Sequence, residues 1–175
     1  MLQLKCTQKV LRELGIKTTA GQMARDPDTR LGHWYVNLFT VDRRKTFLFM
    51  NERTLLSFVI FGIKKSNVQE MPNVFVRGLV QLLVLEGFKS AEIERALADY
   101  ETFEIGRTDS RRLLGNMNDL MDLYRHHILW EGGFKSCDLD GIFGRINRTP
   151  QRNLGWAFSI DVTRELLAND GGHAS

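Results

Sequence analysis

The stretch GHWYVNLFTVDRRKTFLFMNERT, residues 32–54, decides the fold, because it sets two apolar runs on either side of a charged turn. Both alternating sets of side chains over 33–41 are largely apolar, which is typical of a strand inside a sheet. A second apolar run covers 46–51, and the four residues 42–45 suit a tight antiparallel connection. We therefore predict a buried β-hairpin with a cationic turn, in which Asp42 hydrogen-bonds the turn backbone.

Residues outside the hairpin predict further strands and amphipathic helices. Strands are expected over 1–6, 55–63 and 102–107, with a buried helix as the alternative for the second of these. Helices are expected where apolar residues recur at helical spacing between caps and glycines, namely from Thr7 to Gly15, over 68–86, from Ser90, from 109 or 110 to about 129, over 139–146 and over 162–167. The sum is an α+β fold, an antiparallel sheet centred on the 33–51 hairpin with helices packed on it.

The composition is that of a globular domain. The chain has 175 residues, of which 43% are apolar and 26% charged, enough for a core without staples. We expect one α+β domain over 1–168, with a polar loop at 18–31, and a flexible glycine-rich tail over 169–175. No apolar run approaches the ~20 residues that span a bilayer, and the polar N-terminal segment lacks a secretion signal's pattern. These features predict a cytoplasmic protein without membrane contact.

The two cysteines, Cys6 and Cys137, are too few for a disulfide framework and have no second thiol at ligand spacing. Cys6 alternates with Leu2 and Leu4, so we expect it in a buried strand. The sequence also lacks the zinc, phosphate-loop, nucleophile-elbow and dinucleotide-binding motifs. It therefore predicts neither a metal site nor a cofactor, and it leaves the oligomeric state open.

Three segments form a recognisable series along the chain: CTQKVLRELGI at 6–16, WYVNLFTVDRRKTFLFMNERT at 34–54 and GRTDSRRLLGNMND at 106–119. Together they resemble the landmarks of the family called domain of unknown function 6933, which occurs in bacteria and their mobile elements. The similarity runs from Leu2 to about Tyr124. The resemblance implies a fold and a bacterial or phage origin, and it brings no activity and no catalytic residues.

Cations in and near the predicted turn form the leading candidate site. Arg43, Arg44 and Lys45 lie in the turn, and Arg53 follows the second strand of the hairpin. These residues predict an anionic partner, with nucleic acid as the leading candidate. Nearby aromatic rings would stack on bases if they were exposed, namely Trp34, Tyr35 and Phe39. The alternative is a solvated turn beside a packed aromatic core.

A second basic group lies where the long helix is expected to begin. Arg107, Arg111 and Arg112 flank this helix start, whose backbone N–H groups favour anions. Asp109 argues against a phosphate there, because its carboxylate is able to cap the same N–H groups. The alternative is a capped helix with surface arginines.

The histidines supply weaker candidates for catalysis. Asp122 and His126 are one helical turn apart, so they are able to form a base couple or an ordinary surface hydrogen bond. His33 precedes the first hairpin strand. An enzyme would require His33, Asp122 or His126 to meet in one cleft with two arginines.

Two functions from different classes follow from these residues. The leading hypothesis is a small non-enzymatic binding or interaction module that contacts an acidic partner, nucleic acid or protein, through the basic residues. The alternative is a small phosphodiester-cleaving enzyme or toxin that uses a histidine near arginines. The lack of a recognisable catalytic motif favours the first hypothesis, and whether the chain is an enzyme stays open.

Overall fold

A computed structural model describes residues 1–17, 29–98 and 100–168. The main sheet has five strands, which are β1 (Leu2–Cys6), β2 (Trp34–Val41), β3 (Arg44–Asn51), β4 (Ser57–Phe61) and β5 (Phe103–Arg107). A small two-stranded sheet consists of β6 (Pro150–Gln151) and β7 (Ala157–Phe158). The helices of the described ranges are α1 (Gln8–Leu14), α2 (Met71–Leu85), α3 (Ser90–Leu97), α4 (Arg111–Trp130), α5 (Leu139–Ile146) and α6 (Ser159–Ala168). These elements confirm the predicted α+β class.

The main sheet is mixed, with the strand order β4-β3-β2-β1-β5. Strands β2, β3 and β4 form an antiparallel meander, whereas β1 runs parallel to both β2 and β5. The expectation of a purely antiparallel sheet was therefore wrong for β1 and β5. Neighbouring parallel strands need a crossover connection, and the connection between β1 and β2 contains α1.

The hairpin is confirmed, and its turn is tighter than predicted. β2 and β3 pair from Trp34 opposite Asn51 to Val41 opposite Arg44. The turn consists of only two residues, Asp42 and Arg43. Both have positive φ, at 50° and 61°, as two-residue hairpin turns require. Arg44 and Lys45 therefore belong to β3 and not to the turn.

Several helix boundaries follow the capping residues. The Thr7 hydroxyl accepts the backbone N–H of Val10 at the start of α1, and Gly15 ends the helix in the left-handed region with φ 65°. Helix α5 matches the predicted 139–146. Helix α2 begins at Met71 rather than 68, because a 3-10 segment over Lys65–Glu70 precedes it. The predicted strand at 55–63 shortens to β4, and the predicted helix at 162–167 extends back to the start of α6.

Aromatic rings fill the space between the hairpin and α2. The rings of Trp34, Phe49, Phe58 and Phe75 lie with centroids 5.1 to 5.9 Å apart. The Trp34 indole N–H donates to the Tyr100 hydroxyl at 2.9 Å, which satisfies the polar atom of a fully buried ring. The hairpin is thus the centre of the core, as its two apolar runs predict.

The predicted tail at 169–175 lies outside the described residues, and so do positions 18–28 of the predicted polar loop. Within the part of the chain that the structure describes, none of the helices has the length and apolar character needed to cross a membrane. Cys6 is buried in β1 as predicted, and burial raises the pKa of its thiol to about 12. Its sulfur therefore stays protonated at neutral pH.

Candidate functional site

A groove of about 380 Å³ opens beside the hairpin turn, where the first residues of β3 meet the end of β4 and the last turn of α1. We name it the hairpin-end groove, and its lining residues are Glu13, Arg44, Lys45, Phe61, Gly62, Ile63 and Lys64. Three cations and one carboxylate line this groove, so its net charge is positive. Its apolar floor and cationic walls suit a ligand that carries both an anionic and an apolar group.

Arg44 is held at the groove by an aromatic ring. Its guanidinium carbon lies 5.2 Å from the centroid of the Phe61 ring, which is 39% exposed. The Phe134 ring packs on Phe61 with the two centroids 4.5 Å apart. A cation over an aromatic ring at an exposed site gains roughly 0.5–1 kcal/mol. The contact therefore orients Arg44 before any ligand arrives.

Lys45 forms an ion pair with Glu13 across the groove. The two side chains are 61% and 34% exposed, and exposed pairs of this kind contribute only about 0.2–1 kcal/mol. A phosphate entering the groove is therefore able to replace the Glu13 carboxylate as the partner of Lys45 at small cost.

The turn itself is tied to the segment that follows α4. The Asp42 carboxylate accepts the backbone N–H of Phe134 at 2.9 Å instead of a hydrogen bond from its own turn, which corrects the sequence expectation. Gly133 permits this approach, since a Cβ there would lie 2.6 Å from the Asp42 carboxylate oxygen. These contacts fix the turn and place Phe134 against Phe61. Arg43 lies exposed at the tip of the turn.

The second basic group lies at the start of α4. Arg107, Arg111 and Arg112 are all exposed. Ser110 caps the helix, because its hydroxyl oxygen accepts the backbone N–H of Leu113 at 3.2 Å. The capping role expected of Asp109 therefore belongs to its neighbour.

Asp109 instead joins a hydrogen-bonded group below the helix start. Its carboxylate accepts from the Tyr35 hydroxyl and from Lys5 Nζ, the latter at 3.2 Å. Burial raises the pKa of Asp109, but the two hydrogen bonds and the Lys5 charge outweigh it and the net pKa is lowered. Burial and the Asp109 carboxylate raise the pKa of Tyr35, so that its hydroxyl stays a donor. An anion at the start of α4 would therefore meet an ionised carboxylate.

The two basic groups do not form one continuous patch. In the register of the sheet, Arg107 of β5 lies beside Cys6 of β1, and Cys6 lies beside Val36 of β2. The turn at Asp42 lies six residues further along β2, which corresponds to about 20 Å at the rise of a strand. Arg53 lies at the opposite end of the hairpin, where its guanidinium donates to the carbonyl oxygens of two loop residues, Thr29 and Arg30, at 2.9 and 2.6 Å.

The aromatic residues expected to stack on bases are core residues. Trp34, Tyr35 and Phe39 are at most 2% exposed, so the alternative of a packed aromatic core is confirmed. Phe61 and Phe134 take their place beside the cations, and sequence reasoning missed both. The signal for Phe61 was its place near the end of an apolar run, directly before Gly62 and three residues before Lys64.

The histidine candidates do not meet. His33 is buried, and its Nδ1 accepts the backbone N–H of Gln3 at 3.0 Å. Asp122 pairs with Arg125 at 3.0 Å, while the nearest ring to His126 is that of His127. Among the contacts of the described residues, Asp122 and His126 therefore do not form the expected base couple.

A second depression, of about 450 Å³, surrounds the end of α4. His126, His127, Trp130, Glu131 and Arg145 line it. The rings of His126 and Trp130 stack at 6.1 Å, and Arg145 is paired with Glu131 at 2.9 Å. Burial, followed by the charges of Arg145 and His126, lowers the pKa of His127, which keeps its imidazole neutral at pH 7. The described ranges contain no group of three or more side chains placed to hold a metal ion.

Comparison with known proteins gives a family match and a similarity to a solved structure. The model of a family described as Domain of unknown function (DUF6933) matches residues 3–162, which confirms the resemblance and extends it past Tyr124. A search of curated proteins finds no match. Among solved structures, the chain is similar to the catalytic core domain of BIV integrase, with a TM-score of 0.46 and 9% identity over 75% of this chain and 93% of that one.

Proposed function

This chain belongs to the family described as Domain of unknown function (DUF6933), and on that premise we propose that it is a non-enzymatic module that binds single-stranded nucleic acid in the hairpin-end groove. The half-exposed Phe61 ring beside three cations is the observation that carries this proposal. Cations neutralise phosphates, and an aromatic or apolar surface accepts the face of an unpaired base. An acidic peptide would use the cations and leave the aromatic floor without a role.

The side chains of the groove take different parts in this proposal. Arg44 is already oriented by Phe61, so it contacts a phosphate without a large loss of side-chain entropy. Lys45 exchanges the Glu13 carboxylate for a second phosphate. Arg43 at the tip of the turn extends the cationic wall outward. The base adjoining these phosphates lies against Phe61.

The proposal predicts how strongly the binding affinity depends on salt concentration. Three neutralised phosphates of a single strand correspond to a slope of about −2 in a plot of log affinity against log salt concentration. Arg111 and Arg112 form a second contact region about 20 Å away along the strand direction, which only longer oligonucleotides reach. Their substitution is expected to weaken binding less than that of the turn residues.

Fluorescence anisotropy with a labelled oligonucleotide of about 12 nucleotides, as RNA and as DNA, tests the proposal. We expect the double variant Arg43→Gln, Arg44→Gln to bind about tenfold more weakly or worse, with the magnitude of the slope reduced by about 1.4 because two of the three phosphate contacts are lost. Arg152→Gln is the matched control, because Arg152 is an exposed arginine outside the groove. A variant of Phe61→Ala should lower affinity without changing the slope, because it removes a stacking surface and no charge.

Two outcomes would overturn the proposal. Equal binding by the wild type and the turn variant would remove the groove as the site. Tighter binding to a polyglutamate peptide than to either oligonucleotide would make an acidic protein the partner.

The alternative of a phosphodiester-cleaving enzyme is favoured by one observation, which is the depression at the end of α4. It holds two imidazoles, with ring centroids 5.8 Å apart, and one arginine. The neutral imidazole of His127 would serve as a base beside the second imidazole. Incubation of the same labelled RNA with the protein tests it: cleavage lost in His126→Ala and His127→Ala supports the enzyme, and intact RNA rejects it.

A further inference from the structure

We infer that the strand bound in the hairpin-end groove is RNA, and that Glu13 selects it by accepting a hydrogen bond from a ribose 2′-hydroxyl. This inference rests on the proposed function and adds to it the chemical class of the strand. Its basis is the one carboxylate among the side chains that line the groove, which is that of Glu13. The 2′-hydroxyl is the group that lets a protein distinguish RNA from DNA at a given site.

The Glu13 carboxylate depends on a partner in the groove. Glu13 lies in the last turn of α1, where the helix dipole disfavours a negative charge. Its Oε1 accepts a hydrogen bond from Lys45 Nζ, and in the part of the chain that the structure describes Oε2 has no hydrogen-bond partner. The Glu13 side chain is 34% exposed, so a ligand in the groove is able to reach it. One oxygen is therefore open, and the other is held by an exposed lysine.

A phosphate on Lys45 changes the surroundings of this carboxylate. When Lys45 turns to the phosphate, Glu13 loses the cation with which it pairs. A DNA sugar has no 2′-hydroxyl, so the carboxylate would then face the phosphate with water alone. An RNA sugar supplies an O–H donor, and hydrogen bonds to an ionised carboxylate are stronger than those between neutral groups. The exchange at Lys45 therefore costs less when the strand is RNA.

The order of groups along a nucleotide places the ribose beside Glu13. The ribose joins the base to the phosphate, and in the proposed function the base lies against Phe61 while a phosphate lies on Lys45. Both residues line the groove together with Glu13. A ribose between Phe61 and Lys45 therefore lies next to the carboxylate that contacts Lys45 in the unbound protein.

The preference for RNA is expected to be modest, because Glu13 is partly exposed and water competes for its oxygens. We expect RNA to bind about fivefold more tightly than DNA. This ratio corresponds to about 1 kcal/mol, the net contribution of a typical hydrogen bond. The ratio should be the same at low and moderate salt, because a hydroxyl contact releases no counterion.

Fluorescence anisotropy with the wild-type protein tests this preference without any substitution. The oligonucleotides have about 12 nucleotides and contain only adenine and cytosine, so that RNA and DNA carry the same bases. A strand with 2′-fluoro sugars is the decisive probe, because it keeps the sugar pucker of RNA but has no hydroxyl to donate. We expect it to bind as weakly as DNA. Binding equal to that of RNA would mean that the protein recognises sugar pucker, and would overturn the inference.

The variant Glu13→Ala tests the assigned side chain. It loses the acceptor and also frees Lys45, so it should bind DNA up to about fivefold more tightly and should no longer distinguish RNA from DNA. Glu165→Ala is the matched control, because Glu165 on α6 is an exposed carboxylate outside the groove, and it should leave the preference unchanged. An equal gain for both strands in Glu13→Ala would mean that Glu13 only competes with phosphate for Lys45, and would overturn the inference.

The outcomes distinguish this inference from the proposed function. If the wild type binds RNA and DNA equally, and the turn variant Arg43→Gln, Arg44→Gln binds both more weakly, the groove stays the site and the role of Glu13 is overturned. If the wild type binds neither strand, both the proposed function and this inference are overturned.

Discussion

Lys5 Nζ lies 2.9 Å from a carboxylate oxygen of Glu52, and the two side chains are only 4% and 11% exposed. The pair links β1 to the end of β3. The other Glu52 oxygen accepts the backbone N–H of His33 at 2.8 Å, and Lys5 also reaches Asp109 before α4. A cation in the middle of a buried strand thus fastens three separate parts of the chain.

Removal of the cation should therefore be costly. Lys5→Met leaves Glu52 buried without its partner, and breaking a buried pair costs roughly 3–5 kcal/mol of unfolding free energy. The double variant Lys5→Met, Glu52→Gln removes both charges and should recover a large part of that loss. Urea unfolding measures both values. Equal instability of the single and double variants would mean that the buried charge on Glu52 is not the cause.

Asp109 makes part of the stability depend on pH. Because its folded pKa lies below the unfolded value of about 3.9, its contribution is present above that pH and is lost as the pH falls through the folded pKa. Asp109→Asn should therefore be less stable than the wild type at pH 7, and the difference should narrow toward about pH 2.5. Urea midpoints of the two proteins across this range measure it. A constant difference would assign the effect to packing and not to the charge.

The hairpin and the amphipathic helices were predictable because each depends on residues close together in sequence. Alternating apolar side chains gave β2 its interior position, and Thr7 and Gly15 marked the ends of α1. The parallel pairing of β1 was not predictable in this way. A five-residue strand with every side chain buried carries no local mark of its neighbours, and only the course of the chain through α1 determines them.

The candidate groove was predictable only in part. Its cations next to the turn are consecutive in sequence, so they were found at once. Glu13, Phe61 and Phe134 come from α1, β4 and the segment after α4, and tertiary packing alone brings them to the turn. Because the turn has only two residues, Arg44 belongs to β3 and not to the predicted loop, and its side chain contacts Phe61. Local pattern therefore identified the charge of the site and not its shape.

Gly78 on α2 lies at a closely packed contact with β4. A Cβ at this position would lie 2.6 Å from the Phe58 ring, so Gly78→Ala should destabilise the protein by about 1–3 kcal/mol despite alanine's better helix propensity. Gly115→Ala on α4 is the matched control, because a Cβ there meets no atom within 4 Å and should stabilise the protein by about 0.4–1 kcal/mol. Urea unfolding of both variants shows whether each substitution raises or lowers the free energy of unfolding. Stabilisation by Gly78→Ala would show that Phe58 moves aside freely.

Phe49 lies at the centre of the aromatic core and is fully buried. Its ring stacks on Phe58 at 5.3 Å, and it packs at 5.4 Å from Phe75. Phe49→Ala should therefore lower the free energy of unfolding by about 3–5 kcal/mol, through lost burial and the cavity left between the hairpin and α2. Trp130→Ala removes a larger ring that is 81% exposed, and its unfolding free energy should stay within about 0.5 kcal/mol of the wild type. Urea titration of the two variants measures both unfolding free energies. A similar decrease in both variants would mean that the end of α4 is covered in solution.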